Sequence, residues 1–143
     1  MARTVAIGIQ SFEDIRKGNY FYIDKTSFIK EWWEAGDSVT LITRPRRFGK
    51  TLNMSMLENF FSVKYANRGD LFEGLSIWQE EKYQKLQGTY PVISLSFASI
   101  KESTYESTKL KIYELLRNLY LDYEFLLESD KLSKTEKRFI NRV

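Results

Sequence analysis

The spacing of apolar residues along the chain predicts a series of helices. Ser11 with an acid three residues later, at Asp14, is typical of a helix start, and Gly18 marks the end of that first helix. The second helix carries an apolar stripe of Phe and Trp residues and ends at Gly36. The predicted helices cover residues 12–17, 25–35, 51–63, 79–87 and 103–129, and a last one starts at Ser133.

Two other segments are typical of β-strands. Residues 39–43 are short and β-branched, and Pro45 stops the strand from continuing. Residues 90–97 have the apolar character of an interior strand, and residues 20–23 form a brief aromatic, β-prone run. Alternating strands and helices predict an α/β fold with a parallel sheet flanked by helices. Two clear strands are fewer than the usual sheet of about four to six, so we expect this sheet to be incomplete.

Composition and charge limit the kinds of catalytic and binding site that this chain can contain. A chain of 143 residues fits a single domain, and the absence of His and Cys excludes imidazole catalysis, thiolate nucleophiles and Cys/His zinc sites. The window 38–57 contains three arginines and one lysine with no acid, so its net charge of +4 exceeds the +3 of the whole chain. The positive charge of the chain is therefore concentrated in this window.

No segment is typical of a membrane or export signal. The N-terminus lacks the apolar run of a signal peptide, and no stretch approaches the roughly 18 apolar residues that a spanning helix needs. We expect a cytoplasmic protein without a membrane partner.

The basic window contains the second half of a phosphate-binding loop. In G-x-x-x-x-G-K-[ST], backbone amides surround the phosphates, the lysine reaches the β and γ oxygens and the hydroxyl holds Mg²⁺. Gly49, Lys50 and Thr51 match these last three positions, with Thr51 as the metal ligand, whereas Arg44 stands at the first glycine position. The loop follows a predicted strand and precedes a predicted helix, which is the context that the motif requires.

Other interpretations of these residues stay open. The four cations can form a solvated basic turn, or they can bind nucleic-acid phosphates in a protein that is not an enzyme. Tyr22 or Lys25 could contact a base or ribose, but we favour Asp24 as the cap of the second helix. The pair Trp32 and Trp33 could stack on a base, but such a stripe is more typical of a core.

The sequence around the loop closely resembles the bacterial and archaeal AAA-ATPase-like family. The segments that carry the resemblance are 22–26 (Tyr-Ile-Asp-Lys-Thr), 42–57 (with Arg-Pro-Arg-Arg-Phe-Gly-Lys-Thr), 71–75 and 90–97. In that family arginine is usual at the position of Arg44. The resemblance implies the three-layer P-loop NTPase fold for residues 1–143, with ATP and Mg²⁺ as cofactors. The loop residues expected to bind the nucleotide are Arg44, Pro45, Arg46, Arg47, Phe48, Gly49, Lys50, Thr51 and Leu52.

One expected part of such an ATPase is missing from the sequence. The resemblance implies a later strand of apolar residues that ends in acidic residues. Many fuller members of the family also carry a nuclease-like domain at the C-terminus. Neither feature is found in this sequence. The predicted strand over residues 92–97 is followed by Ala98 and Ser99 and not by acidic residues. We therefore expect an N-terminal fragment that binds ATP, with hydrolysis only in a full-length protein. We also expect self-association through the incomplete sheet.

Overall fold

The computed structural model describes residues 4–45, 47–128, 133–135 and 137. It divides into two compact units, Met1–Val92 and Ile93–Val143. The helices are α1 (Phe12–Lys17), α2 (Ser27–Ala35), α3 (Lys50–Phe61), α4 (Glu81–Leu86), α5 (Tyr105–Asp122) and α6 (Phe125–Glu128), with short 3-10 helices at Val63–Tyr65, Gly69–Leu71 and Ser76–Gln79.

The prediction of a parallel β-sheet is wrong. Across the described part of the chain there is no β-strand, and the backbone pairing of β type is a single parallel bridge between Ser62 and Tyr90. The apolar residues that predicted buried strands face solvent: Val39 is 85% exposed and Leu41 is 83% exposed. β-Branched residues favour a strand only when a neighbouring strand pairs with the backbone and covers the side chains. The α/β assignment and the three-layer P-loop fold are therefore corrected to an arrangement of helices and irregular segments.

The helices of the first unit are confirmed close to their predicted bounds. The Ser11 side chain accepts a hydrogen bond from the Asp14 amide, so the N-cap of α1 forms as predicted. Helix α2 ends at Gly36, whose φ of 64° is left-handed and favours glycine. Helix α3 begins at Lys50, one residue before the predicted start. These features depend on residues a few positions apart, which a local pattern can specify.

The long predicted helix of the second unit is interrupted. Helix α5 ends at Asp122 and α6 begins at Phe125, within a span for which one continuous helix is predicted. The apolar face of α5 is half-buried, but its predicted role as the cover of a sheet is wrong because the described residues form no sheet. That face consists of Ile112, Leu115, Leu116 and Leu119. Most of the helix predicted from Ser133 lies outside the described residues.

The core of the first unit is aromatic. Phe12 of α1 and Phe60 of α3 each pack on Phe72, with ring centroids 5.1 Å apart in both pairs, and all three side chains are fully buried. The other buried members of this cluster are Ile29, Met56, Phe61, Leu71, Leu75, Ile77 and Tyr83. The second half of α3 is thus held in the core, which fixes the direction of its first turn.

Candidate functional site

The loop predicted to bind nucleotide leads directly into the first turn of α3. Gly49 is the N-cap of this 12-residue helix and has a left-handed φ of 74°. Arg47 also has a positive φ, 68°, which is uncommon for a residue other than glycine. Two left-handed residues thus stand immediately before the helix and turn the backbone into it.

Backbone donors are available at this helix start. The Gly49 carbonyl accepts from the Asn53 amide at 2.9 Å, which is the first hydrogen bond at this end of the helix. Within the described residues, no acceptor is found for the amides of Gly49, Lys50, Thr51 and Leu52. A helix start with free amides carries a partial positive charge, so it favours an anion.

The side chains of the loop are mostly exposed. Lys50 is half-buried, and its ammonium donates hydrogen bonds to the carbonyls of Arg44 and, at 3.3 Å, Pro45. Leu52 is half-buried and packs against the core. The exposed residues of the predicted site are Arg44, Pro45, Arg47, Phe48 and Thr51, and Arg46 lies outside the described residues.

The cations near the loop differ from the other cations of the first unit. Elsewhere in this unit, most described Lys and Arg side chains pair with a carboxylate, for example Lys30 with Glu80 at 2.6 Å, whereas Arg16 bonds to the carbonyls of Leu71 and Glu73. Among the described residues, no carboxylate pairs with Lys25, Arg44, Arg47 or Lys50. Among the described cations of this unit, those without a carboxylate partner therefore lie mainly in or beside the predicted site.

A second element at the site was not predicted from the sequence. The Asp24 carboxylate accepts from the Thr26 amide and hydroxyl at 2.8 and 2.7 Å, and from the Ser76 amide at 2.7 Å. The Thr26 hydroxyl in turn accepts from the Ile77 amide at 3.2 Å. Together these two side chains satisfy the first two amides of the 3-10 helix Ser76–Gln79. We call this arrangement the Asp24 latch.

The predicted cap of α2 is corrected accordingly. Thr26 is the N-cap residue of α2, and it makes no side-chain capping bond to that helix. Burial, the largest influence on Asp24, raises the pKa of its carboxyl, but the hydrogen bonds from Thr26 and Ser76 outweigh it and hold that pKa below the ordinary value of 3.8. The carboxylate is therefore stabilised in its charged form.

Tyr22, Trp32 and Trp33, the aromatic residues considered as base contacts, belong to the core and its border. The Tyr22 hydroxyl donates to Met56 Sδ at 3.3 Å, and burial raises the pKa of this hydroxyl to about 12. Trp32 and Trp33 both pack against Phe61, with centroid distances of 5.5 and 5.4 Å, as predicted for a core stripe, although Trp33 is 38% exposed. Their packing favours a structural role.

A cleft of about 290 Å³ lies elsewhere on the first unit. Lys82 and the Tyr83 hydroxyl donate to the Glu34 carboxylate at 2.9 and 2.7 Å, and these bonds hold the pKa of Glu34 below its usual range. The cleft is lined by Trp33, Glu34, Lys82, Tyr83 and Leu86. None of these residues belongs to the phosphate-binding motif, and the charges are already paired, so this cleft is not the candidate site.

Comparison with known proteins identifies the family. The family model described as "Predicted AAA-ATPase" matches residues 6–143. The chain belongs to the AAA-ATPase-like family. A protein of Azotobacter chroococcum mcd 1, named "Uncharacterized protein in vnfD 5'region", is 36% identical over 115 residues, which are 80% of this chain and 21% of that relative. The chain thus spans about a fifth of the length of this relative. No solved structure matches.

Membership in the AAA-ATPase-like family supports ATP binding as a general theme. The described part of the chain contains no group of three or more acidic side chains placed to hold a metal ion. Mg²⁺ often binds proteins through few ligands together with substrate phosphates, so a lone hydroxyl such as that of Thr51 fits a metal that arrives with a nucleotide. Among the described helices, none is both long and apolar enough to cross a membrane. The cytoplasmic location stays a prediction.

Of the two elements predicted to flank the loop, the helix after it is confirmed and the strand before it is not. The helix after the loop is present, but residues 39–43 before it form no strand in the part of the chain described, and all of them except the half-buried Ile42 are exposed. The phosphate-binding interpretation therefore depends on the helix start, its free amides and the unpaired cations. Self-association also stays a prediction, with exposed apolar residues such as Val39 and Leu41 as its support.

Proposed function

We propose that this member of the AAA-ATPase-like family binds ATP with Mg²⁺ through residues 44–52. The observation that carries the proposal is the start of α3, where backbone amides without an acceptor among the described residues coincide with cations that no described carboxylate neutralises, and no acid is near in sequence. An anion with several charged oxygens satisfies both features. The left-handed Arg47 adds support, because strained backbone is concentrated at functional sites.

Each residue has a defined role in the proposed complex. The amides of residues 46–51 donate to phosphate oxygens, and Lys50 exchanges the carbonyls of Arg44 and Pro45 for the β and γ oxygens. The Thr51 hydroxyl binds Mg²⁺ when the nucleotide brings it. Arg46 or Arg47 neutralises the remaining phosphate charge. We propose hydrolysis only for a longer protein that supplies an acid to orient the water.

The second candidate function is a phosphate-reading module for nucleic acid that uses the same cations. The exposed and unpaired Arg44 and Arg47 favour it, because such side chains contact nucleic-acid backbones. Of the aromatic residues that could stack on bases, only Phe48 lies within the basic run, and it is 61% exposed. One phenylalanine gives a poor platform for single strands, so we rank this function second.

Titrating MgATP and a short DNA duplex against the same protein at about 50 and 300 mM salt distinguishes the two functions. We expect saturable MgATP binding at both salt concentrations and a weak DNA signal that disappears at the higher one, since DNA binding by a few cations depends steeply on salt. Lys85→Ala serves as the control, because it removes one positive charge at a distant, exposed ion pair with Glu81. Tight DNA binding that persists without any response to MgATP would support the second function and overturn the first.

A further inference from the structure

Lys25 lies beside the loop although it precedes it by many residues in the sequence. A Cβ built on Gly49 would be 3.8 Å from the Lys25 ammonium nitrogen. This ammonium is thus placed next to the residue that immediately precedes Lys50. Both residues belong to the first compact unit.

The position of this ammonium is unusual because it has no counter-charge. The Lys25 ammonium makes no ion pair or hydrogen bond with the described residues, whereas Lys17 and Lys30 each contact a glutamate at 2.6 Å. Lys25 therefore adds positive charge to a loop that already carries several unpaired cations. A bound polyphosphate supplies the counter-charge that Lys25 lacks among the described residues.

The backbone at Lys25 is fixed by its two neighbours. Asp24 and Thr26 are both tied to the 3-10 helix Ser76–Gln79 by the Asp24 latch. Thr26 is fully buried, so this part of the chain cannot move away without breaking packed contacts. The Asp24 latch therefore presents the Lys25 side chain at the loop before any ligand arrives.

We propose that Lys25 is a second phosphate-binding cation of this site, which contacts a polyphosphate oxygen opposite Lys50. The inference rests on the proposed function and extends it, because it selects ligands with at least two linked phosphates. A compact ammonium matches a phosphate oxygen as a point charge. The base-contact alternative has less support, since the neighbouring aromatic residue, Tyr22, uses its hydroxyl on Met56.

The test compares Lys25→Ala, Lys25→Arg and Lys85→Ala for two magnesium-loaded probes, ATP and inorganic tripolyphosphate. We expect Lys25→Ala to weaken the binding of both probes about tenfold or more, the loss of one charge-assisted hydrogen bond. Lys25→Arg should recover most of this affinity because it keeps the charge. Lys85→Ala should bind as the wild type does. The melting temperature without ligand should not change in Lys25→Ala, because this side chain has no protein partner within the described residues.

Each other outcome overturns the inference in a distinguishable way. If Lys25→Ala weakens ATP but not tripolyphosphate, Lys25 contacts the nucleoside and the phosphate role is wrong. If Lys25→Ala and Lys85→Ala weaken the binding of both probes equally, the loss of affinity comes from the change in net charge and the Lys25 contact is wrong. If the wild type binds and Lys50→Ala does not, while Lys25→Ala binds fully, only the Lys25 inference fails. If the wild type binds neither probe, the proposed function fails and the Lys25 role fails with it.

Discussion

Replacing Lys50 with alanine is expected to abolish the rise in melting temperature that MgATP gives to the wild-type protein. A ligand that binds the native state stabilises it by RT ln(1 + [L]/Kd), about 2.7 kcal/mol when its concentration is 100 times Kd. Lys50 supplies the main point charge at the phosphates, so its loss raises Kd until the ligand no longer stabilises the fold. Differential scanning fluorimetry with and without MgATP measures this directly.

The same variant should fold normally without ligand. The Lys50 ammonium binds only the carbonyls of Arg44 and Pro45 within the described residues, and both of those residues are exposed, so water can replace it at little cost. Lys85→Ala is the matched control and should keep the full MgATP effect. An equal thermal shift in Lys50→Ala and in the wild type would remove Lys50 from the site.

The second large effect is expected from Asp24→Asn, which breaks the Asp24 latch. The carboxylate accepts three hydrogen bonds, and an amide group cannot accept all three in the same geometry. Hydrogen bonds to a charged group are worth about 1.5–3 kcal/mol each, but Asp24 is exposed and water screens them, so we expect a loss of about 1–2 kcal/mol in the free energy of unfolding. Urea unfolding at neutral pH measures this loss, and a change below about 0.5 kcal/mol would mean that the Asp24 latch contributes little.

The Asp24 latch also predicts a dependence on pH. Because the pKa of Asp24 is lower in the folded state than its ordinary value of 3.8, its contribution to stability is complete above that value and is lost as pH falls through the folded pKa. Other carboxyls with lowered pKa, such as Glu13 and Asp70, add to acid sensitivity in both proteins. The difference between the wild type and Asp24→Asn should therefore shrink on acidification below about pH 4. A constant difference down to pH 2 would contradict this role of the carboxylate.

The sequence predicted local structure well and long-range pairing poorly. The cap of α1 and the glycine end of α2 depend on residues within a few positions, and both are confirmed. The strands over 39–43 and 90–97 required partners elsewhere in the chain, and a pattern of β-branched residues does not reveal whether such partners form. Most residues of these segments are exposed in the structure.

The candidate site shows the same difference between local features, which the sequence predicts, and long-range contacts, which it does not. Gly49 and Lys50 could be identified from a short motif, because the residues of such a loop are consecutive. The Asp24 latch joins residues about 50 positions apart, and no spacing rule connects Asp24 to Ser76. The segment 22–26 was singled out by resemblance to the family, but its role as a support for Lys25 required the folded arrangement.

An amide-resolved NMR titration of the ¹⁵N-labelled protein with MgATP shows directly whether the start of α3 binds the nucleotide. We expect the largest and saturable shifts at Gly49, Lys50, Thr51 and Leu52, whose amides have no acceptor among the described residues. Smaller shifts should reach Lys25. Shifts that are absent at the start of α3, or confined to the cleft at Trp33 and Tyr83, would contradict the claim that this loop binds the nucleotide.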